Sequence, residues 1–170
     1  MERPSDFDSC QNQRHNTQIE ALSIMSNKNI STEPLTARRQ TPIQQPVVLV
    51  VEEDEYSCEL TKTVLEILGY EVVEAEDHSR AKLALEHVRP NLILINAILP
   101  GSDCLNLIRF IRESSNYCQI PIIVTSGIAT LAYREQAYLA GCTSFIVKPY
   151  EAQKLSKLLE RYCPNKEIPQ

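Results

Sequence analysis

An open parallel α/β sheet with helices on both faces is the fold this sequence predicts. Three observations carry it. From Val47 onward, short apolar runs alternate five times with longer amphipathic stretches, the pattern of βα units that pair in parallel. The first, third and fourth runs are apolar almost throughout, as strands covered on both faces are. Four of the runs also stop on polar residues suited to chemistry: Glu52-Glu53-Asp54, Asn96, Ser126 and Lys148. Right-handed crossovers gather the carboxyl ends of such strands along one edge, where ligands bind at the reversal of winding.

Each element has its own signal. The first strand is Val47–Val51, followed by a helix over about Glu55–Leu68. Leu60, Val64, Ile67 and Leu68 make one stripe at helical spacing there, and Gly69 is placed to cap the helix. The second strand, Glu71–Ala75, is more polar and suits a sheet edge; a helix over Ser79–Val88 follows. The third strand, Leu92–Ile95, stops on Asn96 ahead of the Pro100-Gly101 turn and a helix over Asp103–Glu113. Ile122–Thr125 leads through Ser126 to a helix over Thr130–Ala140. Ser144–Val147 leads through Lys148-Pro149 to a last helix over Glu151–Tyr162.

Residues 1–46 differ in character. Asn, Gln, Ser and Thr dominate, prolines fall at positions 4, 34, 42 and 46, and the apolar patch Ile19–Met25 is short. Such a composition reads as a disordered polar tail, ahead of a folded domain at 47–163 and a short C-terminal tail at 164–170. Five acids balance five bases in residues 1–46, so the net charge of −5 belongs to the remainder. That sign argues against a nucleic-acid partner. No apolar run approaches the roughly 18 residues of a membrane span, and Met1-Glu-Arg-Pro-Ser-Asp lacks a secretion signal's apolar core. The six cysteines form no C-x-x-C pair and have no histidine at zinc spacing. They read as scattered reduced thiols, and the chain as a cytoplasmic protein with no membrane partner.

The acids after the first strand, the polar residue closing the third, Ser126-Gly127, and the run Ala140-Gly-Cys-Thr-Ser-Phe-Ile-Val-Lys-Pro-Tyr150 belong together. This assembly resembles the receiver domain of two-component response regulators, over residues 47 to about 163. The resemblance implies a five-stranded, doubly wound, flavodoxin-like (βα)5 fold with strand order 2-1-3-4-5. It also implies a pocket in which a histidine kinase passes a phosphoryl group to an aspartate closing the third strand. Mg²⁺ held by hard oxygen ligands would neutralise the phosphoryl oxygens. By this resemblance Glu52, Glu53 and Asp54 form the acidic pocket. Glu53 and the Ile98 carbonyl take metal-ligand positions, Ser126 and Phe145 match the switch residues, and Lys148 the pocket lysine. Plainer readings stand beside these: acids favouring a helix N-terminus, a serine ending a strand at a turn, and a core aromatic.

Asn96 departs from the pattern, because it occupies the phosphoacceptor position. A carboxamide has no anionic oxygen and forms no acyl phosphate. It also removes a metal-ligand charge, so Mg²⁺ binding is expected to be weak or lost, with Lys148 turning toward Glu53 or the amide oxygen. The chain thus reads as a non-enzymatic pseudo-receiver that signals by contacting a histidine kinase or a downstream effector. The family's contact face, on the fourth helix, fifth strand and fifth helix, would present Tyr133, Tyr138, Phe145, Tyr150, Lys154 and Lys157. Two alternatives remain at this point. One is a working phosphorelay component with another acceptor, such as Ser57, Ser102 or Ser126. The other is a small-molecule or flavin-binding protein on the same architecture, although Glu-Glu-Asp would repel a flavin phosphate.

Overall fold

The structure, a computed structural model, describes residues 45–99, 102–127 and 130–165. The expected N-terminal tail up to residue 44 and residues 166–170 lie outside them. The elements in order are β1 (Val47–Val51), α1 (Glu55–Ile67), β2 (Glu71–Ala75), α2 (His78–His87), β3 (Leu92–Asn96), β4 (Ile98–Leu99), β5 (Ser102–Asp103), α3 (Cys104–Glu113), β6 (Ile122–Ser126), α4 (Leu131–Ala140), β7 (Ser144–Val147) and α5 (Ala152–Tyr162). Five strands form one parallel sheet in the order β2-β1-β3-β6-β7. The two-residue strands β4 and β5 pair antiparallel, directly after Asn96. Two-residue strands carry no sequence periodicity, and these two renumber the expected order 2-1-3-4-5 as 2-1-3-6-7. β2, the most polar strand, lies at an edge as expected.

Successive side chains along a strand point to opposite faces, and each central strand therefore feeds two cores. Leu49, Val51, Ile93 and Ile95 pack with Ala81 and Leu85 of α2, Leu107, Ile108 and Ile111 of α3, and Ala137 of α4. Val48, Val50, Leu94, Ile123 and Ile146 pack with Cys58 and Leu65 of α1 and with Leu155 and Leu159 of α5. Half of the predicted stripe on α1 is corrected here. Val64 and Leu68 pack partly buried against the core, but Leu60 and Ile67 are 57% and 79% exposed, while Cys58 and Leu65 face the core. The last two pairs are each seven residues apart, but they lie about 200° from each other around a helix of 3.6 residues per turn. Spacing alone does not say which of two apolar lines the sheet will cover.

The termini of the helices are satisfied locally. Asp54, Asp77 and Thr130 accept N-capping hydrogen bonds from Ser57, Arg80 and Tyr133 backbone N–H groups. The Ser57 hydroxyl and backbone N–H hold the Asp54 carboxyl below its ordinary range. A lowered folded-state pKa stabilises the fold above the unfolded value of 3.8, and that contribution is lost as pH falls through the folded value. Asp54→Ala should therefore flatten the acid limb of a melting-temperature profile, with the gap from wild type narrowing as pH drops below about 4. Equal gaps at pH 3 and pH 7 would refute this account of the cap.

Gly141 ends α4 at φ 109, and a Cβ there would lie 2.7 Å from Cγ of Arg112. Glycine is needed on both counts. The Arg112 guanidinium reaches the Gly141, Cys118 and Ile120 carbonyls at 2.8, 3.0 and 2.8 Å. It thereby closes the loops around β6. At the other end, Tyr70 donates to the Cys163 carbonyl at 2.7 Å, and Asn165 donates to the Gly69 carbonyl at 2.9 Å. The chain thus stays bonded to the domain two residues into the expected C-terminal tail. Cys58, Cys104, Cys142 and Cys163 are buried free thiols.

Candidate functional site

Parallel pairing brings the predicted residues to one edge. Val51 of β1 stands opposite Ile95 of β3, Asn96 opposite Thr125 of β6, and Ser126 opposite Val147 of β7. Glu52, Asn96, Ser126 and Lys148 therefore sit at neighbouring strand ends. The Glu52 backbone N–H donates to the Ala75 carbonyl at 3.0 Å, which continues the β1–β2 pairing by one residue. Its side chain turns inward and is only 4% exposed. Glu53 follows on the exposed side.

A buried carboxylate is costly unless both oxygens are engaged. Those of Glu52 are. Lys148 Nζ lies 2.5 Å from Oε2, Asn96 Nδ2 donates to Oε1 at 2.7 Å, and the Asp54 backbone N–H donates to Oε1 at 3.3 Å. This corrects the expectation that Lys148 would turn to Glu53 or to the amide oxygen. Glu53 can be hydrated where it stands, whereas Glu52 cannot, so the ammonium goes to the acid that needs it. Against a carboxylate, which only accepts, the amide presents its NH₂. Lys148 also donates its backbone N–H to the Ser126 carbonyl at 2.7 Å and precedes the cis bond to Pro149. Ser126 is fully buried.

The switch-equivalent Phe145 is 8% exposed and packs edge-to-face with Tyr133, ring centroids 6.4 Å apart. Tyr133 is half-buried. Its hydroxyl donates to the Ala97 carbonyl at 3.2 Å and lies 2.9 Å from Cys104 Sγ. It thus joins α4 to the backbone one residue past Asn96. Sequence reasoning placed Tyr133 on an outer face, because helical periodicity does not reveal that its hydroxyl reaches back to a strand end. Tyr150 departs from that face too. It packs on the α1–α5 side, with its hydroxyl 3.4 Å from Thr61 Oγ1. Tyr138, Lys154 and Lys157 remain exposed. Leu131 and Leu139, which the sequence reading passed over, are 71% and 88% exposed on α4.

These residues fit Mg²⁺ poorly. Among the described residues, no three His, Cys, Asp or Glu side chains are grouped to hold a metal. The oxygens of Glu52 are engaged, Asn96 faces it through nitrogen, Glu53 is exposed, and Ile98 lies 52% exposed in β4. Mg²⁺ demands near-octahedral oxygen geometry. A titration followed through the Asn96 side-chain amide resonance should not saturate at sub-millimolar Mg²⁺. Saturation in that range would contradict this assessment.

A five-stranded parallel sheet with acids, a third-strand polar residue, a hydroxyl and a cis Lys-Pro at one edge defines the receiver class. The family model of the response regulator receiver domain matches residues 48–160, and the chain belongs to that family. The chain is similar to the polar-differentiation response regulator DivK of Brucella anthropi, 28% identical over 68% of this chain and 94% of that protein. It is also similar to the phosphate regulon transcriptional regulatory protein PhoB of Pseudomonas aeruginosa, 29% identical over 64% of this chain. It spans only 47% of PhoB, about half the length of that relative. Among solved structures, the receiver domain of the sensor histidine kinase PA1611 from Pseudomonas aeruginosa is 28% identical, with a TM-score of 0.66. The match covers 70% of this chain and 98% of that one, which holds a magnesium ion in its active-site cleft.

Proposed function

We propose that this chain is a pseudo-receiver, a signalling protein of the two-component type that acts through protein contacts without aspartyl phosphorylation and without enzymatic activity of its own. One observation carries the reading. The Asn96 amide donates to a buried glutamate that is also held by Lys148. Where a nucleophilic oxygen would approach phosphorus, the site is closed by internal hydrogen bonds. A neutral amide has no charge to attack with, and the lysine that would meet a phosphoryl oxygen is already paired.

The output is a contact with a kinase or effector protein, presented by Tyr138, Lys154 and Lys157 on α4 and α5. Neither nucleic acid nor membrane is a partner, and the setting is cytoplasmic. The net charge of −5 supports the first point, and the lack of a membrane-length apolar helix among the described residues supports the second. Incubation with acetyl phosphate and Mg²⁺, followed by intact-mass measurement, should leave the wild-type chain without hydroxylamine-sensitive phosphate. Any such acyl phosphate on this domain overturns the reading.

A further inference from the structure

Outside the strand-end site, one feature stands apart. A cavity of about 500 Å³ opens between α1 and α5, within the range of small-molecule sites. Its apolar wall includes Leu60, Val64, Pro149 and Leu155, and its polar groups include the paired hydroxyls of Thr61 and Tyr150. Leu155 is buried and Leu60 is 57% exposed, so the cavity has a floor and an open lip. This explains the misjudged stripe on α1. Leu60 does not cover the sheet but walls this space, while Val64 lines it and also packs against the core.

We propose that the α1–α5 cavity binds a small, uncharged, largely apolar molecule carrying one hydrogen-bonding group. Size and wall chemistry set the apolar body. The Thr61 and Tyr150 hydroxyls lie 3.4 Å apart, a long contact that leaves room for a third polar partner. Charge excludes an anion. Lys148, the cation on the wall, is engaged by Glu52, while Asp54 caps the turn that carries Ser57 and Glu151 lies between Tyr150 and Ala152. The same Lys148 spans the cavity wall and the Glu52–Asn96 cluster, so occupancy is felt at the strand-end site.

The test uses the full chain and the neutral fluorophore N-phenyl-1-naphthylamine. Its emission should rise saturably, and its anionic counterpart 1-anilinonaphthalene-8-sulfonate should bind less tightly. Leu60→Glu places a charge on the lip, and Ala152→Phe fills the mouth from an exposed helix position. Each should weaken binding by about tenfold or more, whereas Tyr138→Glu on α4 should leave it unchanged. Ala152→Phe keeps the test decisive even if Leu60→Glu folds poorly. The neutral probe should also move the Asn96 side-chain amide resonance. Non-saturable emission, or unchanged binding in both cavity variants, overturns the proposal. Phosphate labelling of the wild type would overturn the pseudo-receiver reading and leave this one standing.

Discussion

Asn96→Asp should convert a domain that takes no acyl phosphate into one that is labelled slowly by acetyl phosphate with Mg²⁺, and should weaken the metal-free fold by about 3 kcal/mol at neutral pH. The two effects share one cause. In the wild type the Asn96 amide donates to Glu52 at 2.7 Å. A carboxylate in its place cannot donate, so a hydrogen bond to a charged acceptor, typically about 1.5–3 kcal/mol, is lost. A second negative charge then stands beside a glutamate that is 5% exposed, and Lys148 must serve both. Either a proton or a cation relieves the repulsion. Mg²⁺ should therefore raise the melting temperature of the variant more than that of the wild type. The new carboxylate would be anionic, next to Lys148, and at the strand end where the family places its nucleophile. Labelling without a metal response would mean that the charge argument is wrong. If neither effect appears, the exposed position of Glu53 has removed the metal site beyond one-residue repair.

Lys148→Met should cost about 2–3 kcal/mol, a melting-temperature drop on the order of 10 °C for a domain of this size. Glu52 would remain buried with only the Asn96 amide and the Asp54 backbone N–H as donors. Stranding one member of a fully buried pair costs about 3–5 kcal/mol. The lower figure here reflects the Lys148 side chain, which is 25% exposed and partly screened. Adding Glu52→Gln to Lys148→Met removes the uncompensated charge and lets two amides pair. The double variant should be more stable than Lys148→Met alone, a non-additivity that chemical denaturation of all four species would measure. A single variant within about 0.5 kcal/mol of wild type would mean the ion pair contributes nothing.

Much of the architecture was legible because βα alternation is a local signal. Four of the five sheet strands fall where apolar runs of four or five residues lie, and the more polar run Glu71–Ala75 forms an edge strand. The strand-end residues were legible for a related reason. In a parallel sheet the last residue of each run must arrive at the same edge, so Glu52, Asn96, Ser126 and Lys148 are neighbours. The β4–β5 pair was missed because two-residue strands leave no periodicity to detect.

By itself the sequence determined the family, the sheet, and the amide at the position where the family's nucleophile is placed, since each depends on residue type and order along the chain. Tertiary structure alone decided which of two adjacent glutamates is buried, and hence which one holds Lys148. Glu52 and Glu53 are chemically identical, but Glu52 continues the β1–β2 pairing and its side chain is buried against Lys148 and Asn96 while Glu53 is exposed. It also decided that Leu60 walls a cavity while Leu65 fills the core, and that the Tyr133 hydroxyl meets the Ala97 carbonyl. Those choices depend on which helix lies against which strand. Burial cost is set by what surrounds a group in three dimensions, not by its neighbours along the chain.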